Sequence, residues 1–219
     1  MNMKRILAPA LLAATLFLSG CISLRPYVDP TLGDVPAAEH VSVANPQPVQ
    51  LVFDFQSKGA SNPRAMAFLT EEVTERVRAS GLFSEVSTAP APNGAILAIT
   101  INNIPEADAA GRGFAAGLTF GLAGQTVTDY YVGTVHYAAG PGAPAFTAEE
   151  HHAIHSLVGA GSGPPGMVAS PNLEAAVRQM TQQLVDHLLN DVARDPTFTA
   201  AHTSLNTWRD AFTAQRAEG

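Results

Sequence analysis

The stretch Val49–Val86, VQLVFDFQSKGASNPRAMAFLTEEVTERVRASGLFSEV, decides the fold. Val49, Leu51, Phe53 and Phe55 alternate with Gln50 and Asp54, the period of a strand with one buried face. QSKGAS reads as a loop. Asn62 followed by Pro63 supplies an N-cap and a proline at the first helical position. Met66, Leu69, Val73 and Val77 then recur at spacings of three and four, and Gly81 stands where a helix ends in a left-handed residue. LFSEVS is a second short strand, so the stretch reads β-α-β.

The same reading extends in both directions. AILAITINNI (95–104) is a third strand through Leu97, Ile99 and Ile101. TVTDYYVGTVHYAA and AFTAEEHHAIHSL, joined by GPGAP, read as a β-hairpin. After the loop VGAGSGPPGMVASP, a helix beginning near Asn172 carries Leu173, Val177, Met180, Leu184, Leu188 and Val192 as one stripe, and Asp195-Pro196 ends it. The tail places Phe198, Leu205, Trp208 and Phe212 on one helical face. The expected class is α+β: a small, mostly antiparallel sheet of four to five strands with two amphipathic helices on one face, plus a C-terminal helix over 196–219.

The amino terminus gives an address. Lys4 and Arg5 precede the uncharged, mostly apolar run Ile6–Leu18, which is too short to span a bilayer and fits the core of a secretory signal over residues 1–20. Leu18-Ser19-Gly20-Cys21 resembles the lipobox of bacterial lipoproteins. That resemblance implies cleavage before Cys21, acylation of its thiol, and a membrane partner through the acyl chains. Ile22 rather than aspartate after the cysteine implies the outer membrane, with the domain facing the periplasm. Cys21 is the sole cysteine, so no thiol remains for disulfides, thiolate metal sites or nucleophilic catalysis.

Residues 21–48 carry prolines at 26, 30, 36, 46 and 48 and read as a tether, laid along the domain in places. The domain proper is then 49–195. Cleavage removes Lys4 and Arg5 and no acid, so the 12 basic side chains become ten against 19 acidic ones. That balance repels phosphate backbones and argues against nucleic acid as a partner.

ASGLFSEV (79–86) carries a further resemblance, at the level of architecture, to small α/β modules of envelope-assembly lipoproteins. It implies a non-catalytic accessory or assembly factor that binds another envelope component or itself.

Four features bear on chemistry. The insertion 111–124 spaces Gly113, Gly117 and Gly121 by four, a glycine zipper on a helix, with Phe114 and Leu118 among the large residues between. Internal packing, an interface and partial insertion into the inner leaflet of the outer membrane all fit it. Glu149, His151 and His155 share one face of the hairpin strand, and Glu150 and His152 the other. Imidazole and carboxylate suit zinc or copper, so the alternative function is a periplasmic small-ligand or metal-binding lipoprotein; solvated polar residues on a half-buried strand fit equally. Trp208 and Phe212 make the tail helix an interface candidate or a helix docked on its own domain. No GxSxG elbow, P-loop lysine or HExxH helix is present. The expectation is therefore no enzyme and no cofactor.

Overall fold

The computed structural model describes residues 23–106, 124–200 and 202. Seven strands form one mostly antiparallel sheet: β1 (Leu24–Val28), β2 (Gln47–Ser57), β3 (Ala60–Ser61), β4 (Phe83–Ser87), β5 (Ile96–Pro105), β6 (Gln125–Ala138) and β7 (Ala145–Val158). Two long helices accompany them, α1 (Pro63–Ala79) and α2 (Leu173–Arg194). The order across the sheet is β1-β7-β6-β5-β2-β3, with β4 pairing parallel to the start of β2 on the same side as β3.

The β-α-β reading of 49–86 is borne out in its three elements, while the QSKGAS loop is corrected: Gln56 and Ser57 end β2, Ala60 and Ser61 form β3, and Lys58 and Gly59 alone turn between them. Asn62 accepts the Ala65 amide at 3.1 Å and Pro63 opens the helix. Gly81 ends it with φ +69°. β2 lies between two parallel neighbours, β4 and β5, and β5-β6-β7 continue as an antiparallel meander.

The expected strand number is corrected from four or five to seven, because β1 and β3 carry no alternation that would mark them. Within the span 21–48 read as a tether, residues 24–28 lie in the sheet. LRPYV is the sheet's edge strand, in register from Leu24↔Val158 to Val28↔Ile154. Its proline sits where the sheet tolerates one, at an edge. The outer side of β1 is not bare: Ser170 donates its amide to the Pro26 carbonyl at 2.8 Å, and Tyr27 bridges Ala169.

One face of the sheet is dry. Leu51, Phe55, Leu97, Ile99, Ile101, Val135 and Ile154 form the core with Leu69, Val73 and Val77 of α1 and Met180, Leu184, Leu188 and Val192 of α2. The helices lie side by side over this face, joined by Arg76 on Asp186 (Nε–Oδ1 2.7 Å) and Arg178 on Glu72. Gly133 lets α2 come close: a Cβ there would stand 3.1 Å from Leu188 and 3.2 Å from Leu184. The stripe of α2 differs from its expected form at its start. Leu173 is exposed and Val177 only partly covered, while Ala176 is fully buried.

The sheet has two ends. β1 starts, β7 stops and β6 starts at one, called proximal here. The β6–β7 turn, the start of β2 and β4 form the distal end. Strands of 14 residues, β6 and β7, separate the ends by about 45 Å. At the distal end Phe198, 1% exposed, meets Tyr137 at 5.2 Å and Phe83 edge-on at 5.9 Å. Phe198 lies on a helical segment opening at Pro196, where Asp195 accepts the Thr197 amide at 2.8 Å.

Candidate functional site: the two faces of β7

β7 carries the histidines, and its two faces meet different surroundings. On the helix-covered face, His152 is buried and its Nε2 donates to Gln183 Oε1 at 2.7 Å, while its Nδ1 accepts the Ala153 amide at 2.9 Å. That pair of bonds fixes the neutral Nε2–H form, and burial lowers the pKa of the ring. Gln183 passes the chain on, donating to Asp34 at 2.9 Å. Two turns further along α2, burial raises the pKa of Asp191, against the pull of His187, Arg194 and a hydrogen bond with Glu150.

On the other face, Glu149 and His151 form an exposed pair at 3.0 Å. His155 is separate. Four residues along a strand amount to about 13 Å, and its ring is engaged elsewhere: Nε2 donates to Asp29 at 3.1 Å and Nδ1 accepts from Thr128 Oγ1 at 3.0 Å. The expected set of Glu149, His151 and His155 is thus split into a pair and a single residue. Among the described residues no group of three His, Cys, Asp or Glu side chains could hold a metal ion. Glu149 and His151 alone supply two donors.

Asp29 and Thr128 are the partners that sequence reasoning missed. Burial works against ionising Asp29, but hydrogen bonds from Thr31 and His155 outweigh it and bring its pKa down to about 2. Thr128 is 8% exposed. Carboxylate, imidazole and hydroxyl stand in the order that activates a nucleophile, but here they link neighbouring strands. Thr128 faces His155 across β6–β7, and His155 faces Tyr27 across β7–β1. The relay therefore closes the β1 edge. No signal in the sequence pairs residue 29 with residue 155.

The same edge is tied at its beginning. Ser23 and Gly159 exchange two hydrogen bonds, at 2.8 and 2.9 Å. Arg25 donates to the Gly161 carbonyl at 2.6 Å, and the Tyr27 ring lies on Gly163, where a Cβ would come within 2.3 Å of it. Gly124, the last residue of the glycine run, passes Ala160 so closely that a Cβ would stand 1.9 Å from its carbonyl oxygen. For this one glycine, internal packing is the reason. Gly113, Phe114, Gly117, Leu118 and Gly121, like Cys21, Trp208 and Phe212, lie outside the described residues.

A groove opens between the distal halves of α1 and α2, lined by His40, Val41, Arg76, Ser80, Asp186 and Asn190. No described helix is long and apolar enough to cross a membrane.

No protein-family model and no curated protein matches the chain. Among solved structures, the PelC dodecamer from Paraburkholderia phytofirmans is 11% identical over 80% of this chain and 99% of its own, with a TM-score of 0.36. A structure named as a homolog of a neuraminyllactose-binding hemagglutinin, from Helicobacter pylori, is 10% identical over 80% of this chain and 98% of its own, at TM-score 0.38. Protein XCC0632 from Xanthomonas campestris, assigned to DUF330, is 12% identical over 78% and 94%, at TM-score 0.35. These are likenesses of outline, and no function is carried across from them.

Proposed function

We propose that the chain is a lipid-anchored protein of the bacterial outer membrane, without catalytic activity, that works by binding another envelope component or a second copy of itself. The observation that supports this reading is the run Leu18-Ser19-Gly20-Cys21, which resembles a lipobox, set shortly before the edge strand β1, whose start is tied by Ser23 to Gly159. Acylation of Cys21 would place a folded domain on the membrane, with no spanning segment required. The candidate contact residues are Gly113, Phe114, Gly117, Leu118 and Gly121 of the glycine run, with Trp208 and Phe212 of the tail.

Palmitate labelling in cells, followed by separation of inner and outer membranes, tests the anchor. Label lost in Cys21→Ser and enriched in the outer membrane is the expected result; label absent from the native chain overturns it. Photo-crosslinkers at Phe114 and Trp208 test the role. A crosslinked second protein or a dimer band is expected. Silence at both positions removes these surfaces from the proposal.

A further inference from the structure

Cys21 is two residues from Ser23, which is already bonded into the sheet. Two residues reach at most about 7 Å. A domain acylated at Cys21 therefore has almost no leash, and its proximal end is held close against the headgroups.

Among the described residues, 23–28, 124–127 and 156–173, which form its rim, contain no Asp or Glu in a chain that has 19; Asp29 and Glu106 lie inward, on His155 and on the Thr128 amide, and Glu174, beside Leu173, pairs with Arg178. The large exposed side chains here are apolar. Val168 is 86% exposed, Leu24 48% and Leu173 43%, and Pro165 is exposed beside them. Val168 belongs to a bend fastened at both sides, by the Met167 amide on Pro164 and the Ser170 amide on Pro26. Its exposure is therefore a property of a fixed bend. Among the described residues Arg25 is the cation of this rim, donating through one nitrogen to the Gly161 carbonyl in an exposed setting.

From this juxtaposition we infer that the proximal end is a lipid-contact surface: Leu24, Pro165, Val168 and Leu173 rest against the bilayer to which Cys21 is anchored. The occupant is a lipid surface and not another protein, because the end of the chain that must enter the bilayer leaves from this same end. A short leash also fixes a high effective concentration, so a contact too weak to bind free protein to vesicles is held once the anchor is in place. The strands then stand away from the membrane. The distal turn, the aromatic cluster and the α1–α2 groove face the periplasm about 45 Å out.

This inference rests on the lipidation of Cys21, and the test separates the two. The lipidated full chain is placed in vesicles of phosphatidylethanolamine and phosphatidylglycerol. An environment-sensitive fluorophore is attached to a single added cysteine, Val168→Cys or, at the distal end, Ala145→Cys. Lipids carrying a nitroxide on the acyl chain are the quencher. The expected result is quenching at 168 at least threefold stronger than at 145, with blue-shifted emission at 168 alone. Protein that floats with the vesicles but shows equal quenching at both positions overturns the contact and leaves the anchor standing. Protein that does not float overturns the anchor, and the contact with it.

Discussion

The two ends of the sheet are held together by different means. The distal end is an aromatic knot, in which Phe83, Tyr137 and Phe198 converge and His202 lies on Phe198 at 4.1 Å. Among the described residues the proximal end has no such cluster. It is closed by backbone hydrogen bonds, by glycines that permit close approach, and by one Asp–His–Thr relay. Apolar area gives large, diffuse stabilisation, whereas hydrogen bonds at an edge give small, local terms. The proximal end is accordingly expected to open before the distal end.

Phe198→Ala is the severest test of this contrast. Removing a fully buried aromatic ring is expected to cost about 3–5 kcal/mol, seen as a lower urea midpoint. A loss under about 1 kcal/mol would mean that the knot is dispensable. Gly124→Ala comes next, because the new methyl meets backbone on its far side and neither partner can rotate away. The expected cost is about 1–3 kcal/mol, with faster hydrogen exchange at the Gly159 amide; unchanged exchange there would break the account of the proximal end.

Asp29→Asn is expected to cost on the order of 1 kcal/mol at neutral pH. The folded Asp29 has a pKa of about 2 against an ordinary 3.8. Its contribution is therefore complete above pH 4 and is lost as pH falls from about 4 to 2. The Asp29→Asn variant should lack that part of the acid transition; identical acid profiles would remove Asp29 from the relay. His151→Ala stands last, with a change within about 0.5 kcal/mol, since its partner Glu149 is also exposed. Zinc should leave the melting temperature of the native chain unmoved. A rise in melting temperature that disappears in His151→Ala would restore a metal site on this face.

Legibility in the sequence followed the same division. Strands and helices that bury a full face announced themselves, as in Val49–Phe55 and in the α2 positions Met180, Leu184, Leu188 and Val192. β1 did not, because LRPYV has a proline, a charge and no alternation; what makes it a strand is the partner it finds at 154–158. Alternation along β7 correctly separated Glu149, His151 and His155 from Glu150 and His152. It could not say that His151 would stand in solvent and His155 on Asp29, since that depends on an edge strand far away in the chain. Periodicity reports the side of a sheet, while the company on that side is set by topology.

The pairing of β1 with β7 has a consequence in time. Leu24 meets Val158, about 130 residues later, so the strand that is made first cannot take its place until nearly everything else exists. Closing so long a loop is slow compared with forming the β2-α1-β4 unit or the β6–β7 hairpin. At about 5–20 residues per second, synthesis alone puts on the order of ten seconds between the two strands. Throughout that interval the segment next to Cys21 lacks its partner strand, the open form that the proposed cleavage and acylation at Cys21 would need. The edge is then sealed last.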